Sequence, residues 1–222
     1  MDTEPVGYDE FRACLKDLAT VNTLTLARGP TLRWLDRIAR DKKPGDRLRV
    51  LDVGFGYGDM LRMIHRWCRA RGLEPELSGV DLNPWSAASA QAATPPDMRI
   101  AYHTADVFAF RPEEVDCVVS SLFTHHLSDS DVVRFIEWMD DTARRGWFVN
   151  DLHRHPLPFH AFRMLARLAR WHRFVQHDGP VSIARSFTRR DWERLTAAAG
   201  IDRRHVDLRW HLPFRICVGR LK

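Results

Sequence analysis

Long hydrophobic runs are absent from this chain of 222 residues. No apolar stretch approaches the roughly 20 residues that a membrane-spanning helix needs. The first residues, MDTEPVGYDE, also lack the basic start and the apolar centre of a secretory signal. We therefore expect a cytoplasmic protein that does not cross a bilayer.

Cysteine is scarce and scattered. The four cysteines lie far apart, and none belongs to a CxxC pair. Such spacing indicates neither a zinc site nor a disulfide framework, so it fits a reducing compartment. No metal is predicted. The sequence also shows no internal repeat and no low-complexity segment.

The charge balance is moderately basic, with 34 basic and 29 acidic residues and a net charge of +5. Because the two signs are mixed through most of the chain, we interpret these charges as a solvated surface, and nucleic acid is not a predicted partner. The length suffices for one hydrophobic core. We expect a monomer or a homodimer.

Apolar periodicity alternates between strand and helix along the chain. Repeated units of this kind predict an α/β fold with a doubly wound, mostly parallel sheet of seven strands. The predicted strands are 48–53, 77–80, 98–103, 115–122, 146–152, 204–208 and 214–219, and the predicted helices between them are 60–71, 85–93, 129–144 and 189–199.

Two helical additions to this sheet are predicted. Residues 1–45 form an N-terminal cap of one or two helices, broken near Gly29 and Pro30, and residues 46–222 form the main domain. After the fifth strand, an insertion at about 156–187 reads as a helical lid. Ser186 or Thr188 is the expected N-cap of the helix that follows it.

Three glycines alternate in LRVLDVGFGYGD, directly after the first strand. Gly54, Gly56 and Gly58 let the backbone turn tightly and bring its N–H groups close to a ligand. The spacing is GxGxG after Asp52, unlike the GxGxxG of a dinucleotide fingerprint, which disfavours a nicotinamide dehydrogenase.

Acidic residues follow three successive strands. Asp52, Asp81 in GVDLNP and Asp106 in ADVF each stand at or just after a strand end. Parallel strands end at one edge of the sheet, so these carboxylates should line the crevice where such folds bind ligands. A carboxylate there can accept hydrogen bonds from both hydroxyls of a ribose.

These motifs resemble those of the class I S-adenosylmethionine-dependent methyltransferases, small-molecule type. The resemblance rests on VLDVGFGYGD, GVDLNP, ADVF and VVSSLFTHHL, and it covers about residues 48–219. It implies a Rossmann-like methyltransferase fold that binds S-adenosylmethionine and releases S-adenosylhomocysteine.

The resemblance also implies individual roles around the cofactor. The glycine turn with Asp52 passes the methionine moiety, Asp81 holds the ribose, and Asp106 reaches the adenine amine. The other expected cofactor contacts are Leu82 and Val107 beside the adenine, Ser121, and Arg28 at the carboxylate.

The acceptor side begins at SSLFTHHL, after the fourth strand. It lacks the Asn or Asp followed by two prolines and an aromatic residue with which family members that methylate bases or amides grip an amine. An oxygen or carbon acceptor is therefore favoured. His125 or His126 could serve as a general base near neutral pH, or one could pack beside the cofactor while the other faces solvent.

Two further groups are expected on the acceptor side. Asp151, His153 and His155 follow the fifth strand, but no fourth metal ligand is obvious, so we expect His153 or His155 to line the acceptor pocket.

Phe159 and Phe162 lie at helical spacing in the lid and would give an apolar pocket. The basic, amphipathic lid could also rest on an anionic membrane, or be an ordinary packed helix.

The sequence thus predicts methyl transfer from S-adenosylmethionine to a small hydrophobic metabolite. Oxygen of a phenolic, polyketide or quinone-like acceptor is the first choice, and carbon the second. Two alternatives stay open, an RNA or other nucleic-acid methyltransferase and a non-catalytic S-adenosylmethionine-binding or scaffold protein.

Overall fold

The computed structural model of the protein describes residues 7–24, 27–168 and 173–222. Helices and strands alternate through most of the chain. In order they are α1 (Tyr8–Leu24), α2 (Gly29–Ile38), β1 (Arg47–Val53), α3 (Asp59–Ala70), β2 (Glu74–Asp81), α4 (Pro84–Ala93), β3 (Ile100–Thr104), β4 (Val115–Ser121), α5 (Asp129–Thr142), β5 (Ala143–Leu152), α6 (Pro156–Leu168), α7 (Arg173–Arg185), α8 (Arg189–Ala198), β6 (Asp207–His211) and β7 (Arg215–Leu221).

The strands form one sheet in the order β3-β2-β1-β4-β5-β7-β6. β1 to β5 pair in parallel, whereas β7 runs antiparallel to both β5 and β6. The predicted seven-stranded, mostly parallel sheet is confirmed. Because chain order reverses between β1 and β4, a crevice is expected at the carboxyl ends of these two strands.

Helices cover both faces of the sheet, as the alternation of side chains in β1 illustrates. Leu48 and Val50 lie in one core cluster with residues of α2 and α3, whereas Leu51 and Val53 lie in the other with residues of α5 and α8. Successive strand residues point to opposite faces, so a strand covered on both sides reads as a continuous apolar run.

Helix starts in the carboxyl-terminal half follow local capping chemistry. Thr188 caps α8, accepting from the backbone N–H of Asp191, whose carboxylate accepts in return from the N–H of Thr188. This reciprocal pair is a capping box. It confirms the cap predicted at Thr188, and Ser128 caps α5 through its side chain in a similar way.

Two predicted elements differ from the structure. The predicted strand 204–208 is instead a 3-10 turn at Arg203–His205 followed by β6, which begins at Asp207. The lid has two helices, α6 and α7, and α7 packs against α1. None of the described helices is long and apolar enough to span a bilayer.

Candidate functional site

The glycine turn after β1 is built from three left-handed residues. Gly54, Gly56 and Gly58 have φ of 71°, 50° and 69°. A Cβ at Gly54 would lie 2.8 Å from the Phe123 ring, and one at Gly58 2.7 Å from the Tyr102 hydroxyl. At Gly56 the nearest atom is the Cδ2 of Leu15, at 3.6 Å. Gly54 and Gly58 are therefore held by packing, whereas a Cβ at Gly56 would make only ordinary contact with Leu15.

The two aromatic residues of the turn have partners outside it. Phe55 is buried, with its ring centroid 5.0 Å from that of Tyr102, and it leaves no room for a Cβ at Gly79. The guanidinium of Arg62 lies 5.1 Å from the centroid of the Tyr57 ring. The turn is therefore not filled by its own bulky side chains.

Two carboxylates support this turn. The Oδ2 of Asp81 accepts from the N–H of Gly56 at 2.9 Å, and its Oδ1 accepts from the N–H of Asn83 at 2.9 Å. A carboxylate has about four acceptor positions, so Asp81 retains capacity for two more donors. Asp52 is buried, and its Oδ1 has no hydrogen-bond partner. Burial raises the pKa of Asp52 well above its ordinary value, and the charges of Asp59 and Asp81 add to the effect.

The residues expected around the adenine follow the next two strands. Asp106 is exposed just beyond β3, and its Oδ1 accepts from the N–H of Phe108 at 3.0 Å. Val107 is buried in the core, whereas Leu82 is exposed beside Asp81. The sheet register pairs Val53 with Val80 and Asp81 with Thr104, so the three predicted acids lie along one edge.

Arg28 joins the N-terminal helices to the start of α3. Its Nε and Nη2 lie 2.9 and 2.7 Å from the Oδ2 of Asp59, the residue directly after Gly58. The same Nη2 donates to the carbonyl oxygen of Ala19 in α1. This pairing places a guanidinium next to the glycine turn.

Asn150 of β5 fixes the loop that carries Arg28. Its side-chain amide donates to the carbonyl of Ala27 at 2.7 Å and to the hydroxyl of Thr31 at 3.2 Å, and its Oδ1 accepts from Arg215 at 3.3 Å. All of these residues except Arg28 are buried. Sequence analysis did not identify Asn150 or Arg215, although a polar residue in an apolar strand is a usable signal.

The strongest electrostatic feature of the site is a buried pair between His125 and Asp151. The Nδ1 of His125 lies 2.8 Å from the Oδ1 of Asp151, and the backbone N–H of His125 donates to its Oδ2 at 3.1 Å. The Thr124 hydroxyl and the Leu152 N–H also donate to this carboxylate. Burial alone would raise the pKa of Asp151, but His125 and these donors outweigh it and lower the pKa to about 2.

Local backbone geometry brings this pair together. β4 and β5 are parallel neighbours, so THH after β4 and NDL at the end of β5 meet at one edge. Leu122 has φ of 58° and donates its N–H to the carbonyl of Asn150, which turns the chain into the Thr124–His126 segment. The parallel order alone could have suggested this pairing, which sequence analysis missed because it weighed Asp151 only as a metal ligand.

The other predicted residues near the fourth strand differ in exposure. His126 is exposed, and its ring centroid lies 4.3 Å from that of His125. The hydroxyl oxygen of Ser121 is buried with no hydrogen-bond partner. α7 packs against the Thr124–His126 segment, so the lid covers the buried pair.

Of the four predicted acceptor-side residues, His153 and His155 follow β5, and Phe159 and Phe162 lie on α6 of the lid. The N–H of His153 donates to the carbonyl of Phe214 at 2.9 Å, and the His155 ring stacks on that of Phe214 at 6.2 Å. Phe159 is half-buried on α6, and Phe162 packs where a Cβ at Gly179 of α7 would be. In the part of the chain that the structure describes, no group of three or more His, Cys, Asp or Glu residues is placed to hold a metal ion.

Comparison with known proteins agrees with the resemblance seen in the sequence. A family model described as a methyltransferase domain matches residues 50–146. This part of the chain is therefore similar to a methyltransferase domain, as predicted. The match runs from within β1 to the start of β5, and it includes the glycine turn and the buried His125. A search of curated proteins finds no match to this chain.

Solved structures share the fold of this chain at low sequence identity. The plantazolicin methyltransferase BpumL in complex with S-adenosylhomocysteine (SAH) has 13% identity and a TM-score of 0.66, over 96% of this chain and 95% of that one. Human N-acetylserotonin methyltransferase in complex with S-adenosylmethionine (SAM) has 14% identity and a TM-score of 0.65, over 97% and 56%. Magnesium protoporphyrin IX methyltransferase from Synechocystis PCC 6803 with bound SAH has 14% identity and a TM-score of 0.58, over 89% and 82%.

One further neighbour has a different chemistry. It is described as a pericyclic reaction enzyme, with 16% identity and a TM-score of 0.58 over 85% of this chain and 47% of that one. The fold of the methyltransferase domain therefore does not by itself determine the reaction, which must be argued from the site.

Proposed function

We propose that this protein transfers a methyl group from SAM to a small hydrophobic acceptor, and that the acceptor atom is the oxygen of a phenolic, polyketide or quinone-like metabolite. Carbon is the second choice. The observation that carries the proposal is the turn at Gly56, whose N–H is bonded to Asp81 close to the buried, unsatisfied oxygen of Asp52.

The residues present fit this cofactor. The remaining acceptor positions of Asp81 suit the two ribose hydroxyls, and the orphaned oxygen of Asp52 suits the ammonium of the methionine moiety. The hydroxyl of Ser121 is another unsatisfied group at this edge. Arg28 supplies the cation for the carboxylate, and Leu82, Asp106 and Val107 are the proposed adenine contacts.

His125 is the proposed general base. When bound, the cofactor would supply an electrophilic methyl group, carried on a sulfonium, for transfer to the acceptor oxygen. Asp151 accepts a hydrogen bond from the Nδ1–H of His125. The Nε2 is then the basic nitrogen that takes the proton of the acceptor. His126, whose ring centroid lies 4.3 Å from that of His125, is a second candidate for this role. Alignment and exclusion of water provide the rest of the acceleration.

The acceptor pocket is proposed between the lid and the end of β5. His153, His155, Phe159 and Phe162 would offer flat aromatic surfaces, and Phe214 extends the stack from His155. Such a lining suits a planar, apolar acceptor better than a strongly charged one.

Isothermal titration with SAM and SAH tests the cofactor. Binding of both in the micromolar range is expected, with Asp81→Asn weakening both by at least tenfold because ribose hydrogen bonds are lost. Incubation with SAM and a panel of phenols should then add the mass of one methylene group to a product. Absence of SAM binding at millimolar concentration would reject the proposal.

A second candidate function is SAM binding without methyl transfer, because one neighbour of the same fold is a pericyclic reaction enzyme. In that case SAM would bind, yet no SAH would accumulate with any acceptor. Chromatographic measurement of SAH during turnover separates the two functions.

A further inference from the structure

The net charge of the chain is concentrated in one segment. Residues 152–177 contain five arginines, no lysine and no acidic residue. Removing these five from the 34 basic residues of the chain leaves 29, which equals the 29 acidic residues. The formal charge of +5 therefore belongs entirely to the lid and to the loop that leads into it. Five of the 11 histidines lie in the same segment.

Large exposed apolar side chains lie at one edge of the sheet. Among the described residues they are Leu82, Leu157, Met164, Trp210 and Leu212, which are 72%, 58%, 65%, 47% and 73% exposed. Leu82 follows β2, and α6 follows β5. The β6–β7 turn lies at the same edge, because β7 begins opposite the ends of both β5 and β6. This is the edge that carries the candidate site, and grouped exposed apolar side chains mark interaction surfaces.

The outer side of α6 combines apolar and cationic residues. Leu157, Ala161 and Met164 are spaced four and three residues apart, so they lie on one side of the helix, and all three are exposed. His160 and Arg163, also exposed, flank them. Apolar residues bordered by basic side chains, with no acid in the helix, are typical of helices that lie in a membrane interface.

The β6–β7 turn continues this surface. The Phe214 ring lies 6.2 Å from that of His155 and 6.1 Å from that of Trp210. Leu157 is bonded through its N–H to the Nδ1 of His155. The exposed Trp210 is therefore linked to the start of α6 through packed rings, and the exposed Leu212 lies in the same β6–β7 turn. We call Leu157, Ala161, Met164, Trp210 and Leu212 the lid face.

We propose that the lid face binds an anionic lipid bilayer, so that the edge with the active site faces the membrane and receives a hydrophobic acceptor from it. Arginines near such a surface are attracted to acidic headgroups, and the apolar side chains enter the boundary below them. A phosphate backbone would use the arginines but gain little from exposed leucine and methionine. A second copy of the chain would bring two segments of equal positive charge together.

Vesicle sedimentation with the full chain, without cofactor or acceptor, tests this proposal. The chain should bind vesicles of phosphatidylcholine mixed with phosphatidylglycerol more tightly than vesicles of phosphatidylcholine alone. Binding should weaken between about 0.1 and 1 M salt, because the screening length falls from about 10 to 3 Å.

Variants separate the contribution of the apolar side chains from that of the arginine charge. The double change Leu157→Ser with Met164→Ser should reduce partitioning at least tenfold, because both side chains leave the interface. Arg163→Gln should reduce it about fivefold, the effect of about 1 kcal/mol for one charge near the surface. Arg47→Gln is the matched control, since Arg47 is exposed at the opposite edge, where β1 begins, and should bind as the unchanged chain does.

Several results would overturn the proposal. These are equal binding to both vesicle types, no binding to either, or an equal loss in Arg47→Gln and Arg163→Gln. Retention of RNA that survives the Leu157→Ser and Met164→Ser change, without vesicle binding, would point to nucleic acid instead. Titration of SAM in every variant keeps this test separate from the proposed function, because failure of vesicle binding with normal SAM affinity rejects the lipid surface alone.

Discussion

Among the residues of the glycine turn, Gly56 differs from its two neighbours in what surrounds it. A Cβ at Gly54 would meet the Phe123 ring, but at Gly56 it would make only ordinary contact with Leu15. Gly56→Ala should therefore lower the melting temperature only modestly, because the only cost is a left-handed φ at an alanine. It should weaken SAM binding at least tenfold, because the new methyl group blocks the approach of the ligand to the backbone.

Gly54→Ala is the matched comparison. It should lower the melting temperature further, because the steric clash with Phe123 adds to the same backbone strain. Calorimetric titration and thermal unfolding of both variants check these expectations. Equal SAM affinity in Gly56→Ala and in the unchanged chain would contradict a ligand at this backbone.

The buried carboxyl of Asp52 should lower the stability of the fold and favour SAM binding. Its pKa is raised by burial and by Asp59 and Asp81, so the folded chain holds a proton there to a higher pH than the unfolded chain, whose ordinary value is 3.8. Stability therefore falls as pH rises from about 4 through the raised pKa, since the folded state binds more protons in this window. Asp52→Asn should remove that loss and raise the melting temperature at pH 7, by about 2–4 °C for each 1 kcal/mol.

The same substitution should weaken SAM binding. A ligand ammonium beside Asp52 would lower the pKa of this carboxyl, so binding below the raised pKa should release a proton and tighten as pH rises. Titration in two buffers of different ionisation enthalpy measures that proton. An equal release from Asp52→Asn would show that the proton comes from another group.

Substitutions in the His125–Asp151 pair should lower turnover without changing SAM binding. We expect His125→Ala to lower kcat by about 100-fold or more, the usual contribution of a general base, with the SAM dissociation constant unchanged. Asp151→Asn should also lower kcat, because an amide can donate to Nδ1 and stabilise the wrong tautomer. Single-turnover rates and SAM titration measure the two effects.

His126→Ala is the control for this prediction, because His126 is exposed beside His125, whereas His125 is buried and bonded to Asp151. Its effect on kcat should be smaller than that of His125→Ala. The reverse order would move the base to His126. An effect of Asp151 on folding can be recognised by its pH dependence. The Asp151 carboxylate contributes stability above about pH 4, and this contribution is lost as pH falls towards about 2.

Sequence patterns predicted the elements better than the contacts between them. The glycine turn and the acids after β1, β2 and β3 were found because the order of strands alone puts their ends at one edge. The His125–Asp151 pair and the Asn150 network join residues from separate strands, so they depend on register and side-chain direction. β6 was misplaced because an edge strand with exposed residues has little apolar alternation.

Asn150 is the element-scale link between the sheet and the N-terminal helices. Asn150→Ala removes its bonds to Ala27 and Thr31 and leaves Arg215 with one partner fewer in a buried place. We expect a loss of about 2–4 kcal/mol in unfolding free energy, because buried donors and acceptors lose their partners. Denaturant unfolding measures this loss.

Arg28→Gln provides the comparison for Asn150→Ala, since it breaks the pair with Asp59 at a more exposed position. It should cost less stability yet weaken SAM binding more if Arg28 holds the cofactor carboxylate. Weaker binding in Asn150→Ala than in Arg28→Gln would instead mean that Arg28 acts by holding the loop.

In the whole molecule, the candidate site lies where segments from three parts of the chain meet. The cap contributes Leu15 above Gly56, the sheet contributes Asp52 and Asp81, and α7 of the lid packs against both α1 and the Thr124–His126 segment. A ligand held at the strand ends should therefore stabilise cap, sheet and lid together.

Thermal unfolding with and without SAM tests this coupling. At 100 times the dissociation constant, a ligand that binds only the folded state adds about 2.7 kcal/mol, which raises the melting temperature by about 5–10 °C for a chain of this size. The shift should come with a single transition if the ligand contacts all three parts. Asp81→Asn should lose about half of the shift or more at the same SAM concentration, because a tenfold weaker affinity leaves about 1.4 kcal/mol. Arg47→Gln, far from this edge, should keep the full shift. Two separate transitions, with only one moved by SAM, would mean that the cap or the lid unfolds independently of the cofactor site.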